Sequence, residues 1–157
     1  MRKIREEQDR VRGGNLERPI TLEDLDEMPY LRAMVKETLR VKPPVTMVPY
    51  KTTKAFPISD DYTVFPDPDA FKPERWLDEN SSANQNPRNY LVFGSGPHKC
   101  IGLEYAMMNI AIVIADAAAM CEWEHEVTEE SEKVAIIATL FPKDGCRLRF
   151  SPRQARA

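Results

Sequence analysis

The sequence predicts an α+β chain, mainly α: helices first, strands in the middle, then a long apolar helix and a closing hairpin. Three observations carry that prediction. In "PYLRAMVKETLRV" the apolar residues Leu31, Met34, Val35 and Leu39 recur at helical spacing. From Leu103 to about Glu122 the chain is apolar on most faces, the pattern of a helix buried nearly all round. Between Val45 and Val64, and again from Lys133 to Pro152, strand-forming segments are separated by turn residues. With 157 residues, 42% hydrophobic and 30% charged, one soluble globular unit can build a real core.

The elements follow in order. Residues up to about 12 are charged and helix-forming, and Gly13 and Gly14 stop them. Thr21 and Asp24 stand three apart, the spacing of a capping box that opens a short helix. Pro29 suits the first turn of the next helix, and Pro43 with Pro44 ends it. "TMVPYKT", "AFPI" and "DYTV" then read as strands. "FPDPDAFKPERWL" is too proline-rich for regular structure, and "DENSSANQNPRN" reads as a polar loop. The run "YAMMNIAIVIADAAAM" is broken by Asn109 and Asp116 and falls short of the roughly 18 residues a membrane span needs, so it is expected to be a core helix. Finally, "KVAIIATLF", a turn at Lys143–Gly145 and "CRLRFSP" make a hairpin, with Cys146, Leu148 and Phe150 alternating against polar neighbours.

Composition narrows the function classes. A net charge of -3 supplies no basic footprint and argues against nucleic acid as a partner. Cys100, Cys121 and Cys146 are odd in number and scattered, unlike a disulfide framework, which fits a reducing compartment. The N-terminal residues carry no apolar signal core.

The chemistry concentrates in "FGSGPHKCIG". Gly94 and Gly96 can take positive φ and bring the backbone close to a flat ligand. Cys100 stands just before the long helix, where free amides and the helix dipole lower a thiol's pKa. Phe93 offers a ring to something planar, His98 can donate to an anion, and Gly102 leaves room on the far side. A buried structural cysteine is the ordinary role of an intracellular thiol. Against it, Phe-x-x-Gly-x-His/Arg-x-Cys-x-Gly should arise by chance less than about once in ten thousand chains of this length. Thiolate, close backbone, aromatic wall and anion partner describe one face of a haem.

This loop resembles the haem-binding loop of the cytochrome P-450 family, the haem-thiolate monooxygenases. The resemblance implies the C-terminal part of that fold, with a long buried helix after the cysteine loop and small β-sheets. It implies a haem b cofactor with Cys100 as axial iron ligand and His98 on a propionate. Phe93, Gly94, Gly96, Ile101 and Gly102 would complete the cradle. Two further stretches match in the right order: "KETLR" supplies Glu37 and Arg40, and "FKPERW" supplies Arg75. On a helical wheel Glu37 and Arg40 lie beside the apolar stripe, where a solvated pair is worth a few tenths of a kcal/mol. The resemblance implies instead a buried structural triad of Glu37, Arg40 and Arg75 that holds the cysteine loop.

Within the family, "EMPYLRAMVKETLRVKPPVTMVPYKTTKAFPISDDYTV", "NYLVFGSGPHKCIG", "EWEHEVTEESEK" and "TLFPKDGCRL" are similar to the fungal sterol C-22 desaturase branch, over residues 6–153. That branch places a double bond in the side chain of an ergosterol precursor. The similarity implies a sterol substrate, O2, and electrons from NADPH through a NADPH–cytochrome reductase docking near the cysteine face. It implies the endoplasmic reticulum membrane, reached through an N-terminal anchor expected to lie outside this chain. Thr46, Met47, Val48, Leu140 and Phe141 are the implied substrate contacts, although apolar residues there serve equally as packing.

Two departures from the pattern are expected. Residues 1–157 read as one partial domain, the C-terminal third of such an enzyme, without the distal helix whose acid–alcohol pair handles protons, so no distal catalytic residue is named. After "DDYTV" the family continues with a Pro-Lys-Gly turn, a strand and a short helix. Here Val64 runs straight into Phe65, an apparent internal deletion that would leave Tyr62 to Val64 as an exposed edge. Other readings stay open: a cytochrome P-450 monooxygenase acting on another lipid or small molecule, or a non-catalytic haem-binding remnant. A zinc site from Cys100, Cys121, His125, Cys146 and His98 is a further option. Cys121 and His125 could share a helix face, but no second pair stands at ligand spacing.

Overall fold

A computed structural model describes residues 1–45, 65–137 and 139–153. The first helix, α1 (Arg2–Val11), ends at Gly13 and Gly14, whose φ angles are 60° and 78°. Polar as it is, α1 packs along α5 (Leu103–Met120) and satisfies that helix's C-terminal end. Arg5 donates to the carbonyls of Ala118 and Cys121, both at 2.9 Å, and the Gln8 amide donates to Ala115. The last carbonyls of a helix have no partners within it and attract cations, which accounts for the arginine there.

The short helix α2 (Leu22–Asp26) opens on the expected capping box. Thr21 Oγ1 accepts from the Asp24 amide at 3.2 Å, and the Thr21 amide donates to Asp24 Oδ2 at 2.8 Å. Arg18 grips the same carboxylate with two bonds of 2.8 and 2.9 Å. Hydrogen bonding from Arg18 and then from Thr21 holds Asp24 well below the usual carboxylate range.

Helix α3 (Pro29–Val41) begins with proline at its first position, as the sequence predicts, and Glu7 closes its N-terminus. The amides of Tyr30 and Leu31 donate to the two Glu7 oxygens at 2.7 and 2.9 Å. A carboxylate is suited to this position because it accepts from both free amides and faces the positive end of the helix dipole. Glu7→Gln removes the charge and one acceptor. It is expected to cost about 1–2 kcal/mol, read as a lower urea midpoint with an unchanged slope. An unmoved midpoint would show that the cap contributes nothing.

Leu31, Val35 and Leu39 are buried as predicted, but so are Ala33 and Glu37. The reason is that α1, α2, α5 and a 3-10 turn at Pro73–Trp76 all pack on α3, which makes it the central helix. The main core joins Ile4, Leu25, Met28, Leu31, Val35 and Leu39 to the alanine stripe Ala111, Ala115 and Ala118 of α5.

Helix α5 departs from the expectation of a largely buried helix. Its buried residues are Ala111, Ala115, Ala118 and Ala119 alone, while Tyr105, Val113 and Met120 are exposed. Small side chains let α1 and α3 approach one face closely, Met107, Met108, Ile110, Ile112 and Ile114 flank it half-buried, and Tyr105, Val113 and Met120 point away. At 18 residues, α5 is also long and apolar enough to cross a membrane by length and composition, so its length does not exclude a span. The contacts it makes with α1 and α3 are those of a packed helix.

The helix stops at Met120 rather than Glu122, and a strand, β1 (Cys121–His125), follows directly. The closing hairpin is corrected as well. β2 (Val134–Ile137) pairs antiparallel with β3 (Thr139–Pro142), whereas β4 (Leu148–Pro152) pairs antiparallel with β1. The register sets Trp123 opposite Phe150, their rings 6.3 Å apart, a cross-strand aromatic pair that favours this partner. Gly145 and Cys146, at φ 75° and 50°, turn the chain away from β3 towards it.

The proline-rich middle is more ordered than expected, since prolines occupy first-turn positions of the 3-10 turns at Pro73–Trp76 and Pro87–Asn89. A short helix without proline, α4 (Ser82–Gln85), lies between them. The strands expected between Val45 and Val64, with the edge at Tyr62 to Val64, fall on residues 46–64, outside those described.

Candidate functional site

Glu37 sits at the centre of the most densely bonded cluster in the described residues. Its side chain is 0% exposed, with Arg40 and Arg75 nearly as buried. Arg40 binds it as a fork, with Nε to Oε2 at 2.9 Å and Nη2 to Oε1 at 3.0 Å. Arg75 Nε donates to Oε1 at 3.1 Å, the Lys72 amide to Oε1 at 2.8 Å, and the Trp76 indole to Oε2 at 2.9 Å. Burial pushes such a carboxyl up. The hydrogen bonds from Arg40, Lys72 and Trp76 outweigh it and bring Glu37 down to about 2.

The arginines do more than neutralise a charge. Arg75 also donates to the carbonyls of Pro66, Asp67 and Ala70 at 3.0–3.3 Å, and Arg40 shares Ala70 at 3.2 Å. The triad therefore staples residues 66–76, which carry no regular sheet or long helix, onto α3. The sequence pattern supplied Arg75 but not Trp76 or the Lys72 amide. An indole next to the arginine in "ERW" was the available signal, because a buried acid needs donors on both oxygens.

From this centre a stack of rings leads towards the cysteine loop. Trp76 meets Tyr90 edge-on at 5.2 Å and Phe65 at 5.9 Å. Burial, with the Glu37 charge, pushes the Tyr90 phenol up to about 12, and its hydroxyl is buried with no hydrogen-bond partner among the described residues. Tyr90, Val92 and Phe93 pack against the main core, so the chain enters the loop from an anchored position.

The loop folds back on itself. The Gly94 amide donates to Leu91 at 2.8 Å, the Cys100 amide to Phe93 at 2.8 Å and the Lys99 amide to Gly96 at 3.1 Å. Gly94 and Gly96 have φ of 69° and 64°, the left-handed region that other residues enter only with strain, so both glycines are required by the turn. Gly96–His98 forms one 3-10 turn and carries His98 exposed at the surface. Phe93 is partly buried and packs against the main core, which anchors the loop.

Cys100 is exposed, and Ile101 beside it is 105% exposed. Leaving an isoleucine wholly in water forgoes about 1.5–3 kcal/mol, and a flat apolar ligand lying over the loop would recover it. At Gly102 an added Cβ would stand 3.8 Å from the Cys100 sulfur, in ordinary van der Waals contact with it. An exposed soft donor beside a fully exposed apolar neighbour, on a turn built from Gly94 and Gly96, fits a thiolate-ligated haem.

The remaining predicted residues divide. Leu140 is half-buried and Phe141 more exposed, on β3, and the Leu140 amide donates to Pro44 at 2.7 Å, which ties this hairpin to the end of α3. Thr46, Met47 and Val48 lie outside the described residues. The zinc reading fails on secondary structure. Cys121 and His125 stand at opposite ends of β1, about 13 Å apart along a strand, and no metal-sized His/Cys/Asp/Glu group occurs among the described residues.

Comparison with known proteins agrees with this geometry. The family model described as Cytochrome P450 matches residues 1–64 and 52–147. The C-22 sterol desaturase ERG5A of Gibberella zeae is 40% identical over 97% of this chain and 32% of its own length. The C-22 sterol desaturase erg5 of Aspergillus fumigatus is 44% identical over 91% of this chain and 31% of its own. The ERG5 protein of Saccharomyces cerevisiae, of the same name, is 41% identical over 96% and 31%. Among solved structures, a retinoic acid bound cyanobacterial CYP120A1 superposes with a TM-score of 0.70 at 25% identity, covering 95% of this chain and 39% of that one. The chain thus spans about a third of the length of the curated relatives it matches. With the family model matching residues 1–147 and relatives at 40–44% identity over most of its length, the chain belongs to the cytochrome P450 family.

Proposed function

We propose that this chain is the haem-thiolate portion of a sterol C-22 desaturase, an oxidoreductase of ergosterol biosynthesis. The observation that carries the cofactor assignment is the exposed Cys100 thiol beside the wholly exposed Ile101, on a turn that needs Gly94 and Gly96. The substrate class is supported by relatives named C-22 sterol desaturase at 40–44% identity across most of the chain. Cys100 would hold the haem iron, and His98 would donate to a propionate. Ile101 and the glycines at 94, 96 and 102 would lie against the ring, with Phe93 fixing the loop from behind. When bound through a thiolate, haem iron supplies cleavage of the O–O bond of oxygen.

Glu37, Arg40 and Arg75 touch no substrate in this reading. They hold the backbone that presents the loop. Leu140 and Phe141, with Thr46, Met47 and Val48, would line the sterol side chain. Electrons would come from NADPH through an NADPH–cytochrome reductase docking near the cysteine face, and the full-length protein would reside at the endoplasmic reticulum membrane.

The domain reading is part of the same proposal: residues 1–157 as a C-terminal third, with a segment missing between Val64 and Phe65. Its support is that the family match comes as two pieces overlapping at 52–64. The alignment with the Gibberella zeae relative is also longer, at 171 residues, than this chain of 157.

The substrate is tested with the full-length protein and a reductase, given NADPH and a sterol with a saturated side chain. A product two hydrogens lighter, with the new double bond in the side chain, is expected. Hydroxylated sterol alone, or no sterol-induced change in the haem spectrum, would overturn the substrate assignment.

A further inference from the structure

We propose that Asp144 is a positioning residue: it clamps the base of the β2–β3 hairpin and thereby sets where Leu140 and Phe141 stand against the sterol side chain. The sterol half of this inference rests on the substrate reading above; the clamp itself does not.

The hairpin needs a clamp because packing does not hold it. Among the described residues, none from β2 or β3 joins either apolar core cluster. Val134 and Ile136 are exposed, and Phe141 is largely so. β2 and β3 pair with each other, while β4 leaves to join β1, so no third strand fixes the direction of the ribbon. An isolated two-stranded ribbon is marginal in water.

What holds it is polar and sits at its base. Asp144 Oδ2 accepts from the Thr128 hydroxyl at 3.0 Å and from the Ser131 hydroxyl at 2.5 Å, and Oδ1 accepts from the Cys146 amide at 2.9 Å. One carboxylate thus joins the loop leaving β1, the turn closing β3 and the approach to β4. Ser131 is itself fixed, since its hydroxyl accepts from the Thr128 amide at 2.7 Å. Glu130 of the same loop pairs with Lys133 and Lys143, one on each side of the hairpin's base, where the Lys143 amide donates to Lys133 at 2.8 Å. Hydrogen bonds to an ionised acceptor are short and strong, so this cluster fixes geometry better than neutral pairs would.

Further along β3 the ribbon meets one more partner. The Leu140 amide donates to the Pro44 carbonyl at 2.7 Å, close before Thr46 in the chain. An extended strand rises about 3.3 Å per residue, so a tilt at Asp144 is magnified at Leu140, where the two implied substrate walls approach each other.

The test begins with hydrogen exchange of the chain. Asp144→Ala is expected to speed exchange over residues 133–142 about tenfold, the loss of one charge-assisted bond, while residues 103–125 keep the parent's rate. Ser131→Ala, which leaves Asp144 on Thr128 and the Cys146 amide, should show the same pattern at about threefold. In the full-length haem protein, binding of a sterol with a saturated side chain should weaken about tenfold in Asp144→Ala. Imidazole, which needs only the iron, should bind as it does to the parent. Unchanged exchange over 133–142 would overturn the clamp. Faster exchange with unchanged sterol affinity, or sterol and imidazole weakened together, would overturn the positioning role. A parent that gives no sterol response would overturn the substrate reading and the sterol half of this proposal with it, and exchange would still decide the clamp.

Discussion

Glu37→Ala is expected to destabilise the chain by about 3–5 kcal/mol, the cost of stranding buried partners of a removed charge. The substitution leaves the Arg40 and Arg75 guanidiniums buried against each other, and orphans the Trp76 indole and the Lys72 amide. Since a domain holds only about 5–15 kcal/mol in total, the variant should be largely unfolded at 37 °C in urea-free buffer or close to it. Arg75→Lys should cost less but still measurably, because one ammonium cannot span Glu37 and three carbonyls that a planar fork reaches. Denaturant titration checks both; a Glu37→Ala midpoint within error of the parent would show the centre to be ornamental.

The same centre predicts an acid limb. Glu37 is brought down to about 2 in the folded chain against an ordinary value of 4.5. The folded state therefore binds fewer protons than the unfolded one across this range. The stabilisation is fully present above pH 4.5 and is lost as the pH falls towards 2, to the extent of about 3 kcal/mol. Asp24, held low by Arg18, acts in the same direction.

What the sequence made legible follows from which signals are local. The capping box at Thr21 and Asp24, the start of α3 at Pro29 and the turn glycines at 94 and 96 depend on a few adjacent residues, and all stand where the sequence places them. The buried state of Glu37 was legible only through the resemblance, because on the helix alone it lies beside the apolar stripe. What covers it, Lys72, Arg75 and Trp76, comes from 35 to 39 residues away. Strand pairing was missed for the same reason. "CRLRFSP" follows "KVAIIATLF" by one turn, yet its partner is Cys121–His125, chosen by the match of Trp123 with Phe150. The overestimate of burial for α5 has a different cause: apolar composition reports that a face will be covered, not by which part of a protein.

The second large effect is expected at Cys100, where Cys100→Ser should remove thiolate ligation altogether while leaving the fold intact, since the side chain is exposed and its amide keeps the 2.8 Å bond to Phe93. Cys121 and Cys146 serve as controls of the same chemistry, on β1 and in the turn before β4. The assignment of Cys100 as the haem ligand is tested most directly by supplying the chain with haem, reducing it and adding carbon monoxide. The account predicts the red-shifted Soret band of thiolate-ligated ferrous haem for the parent, Cys121→Ser and Cys146→Ser chains, and its absence in Cys100→Ser. A band that survives Cys100→Ser, or haem bound by the parent chain without that band, would contradict it.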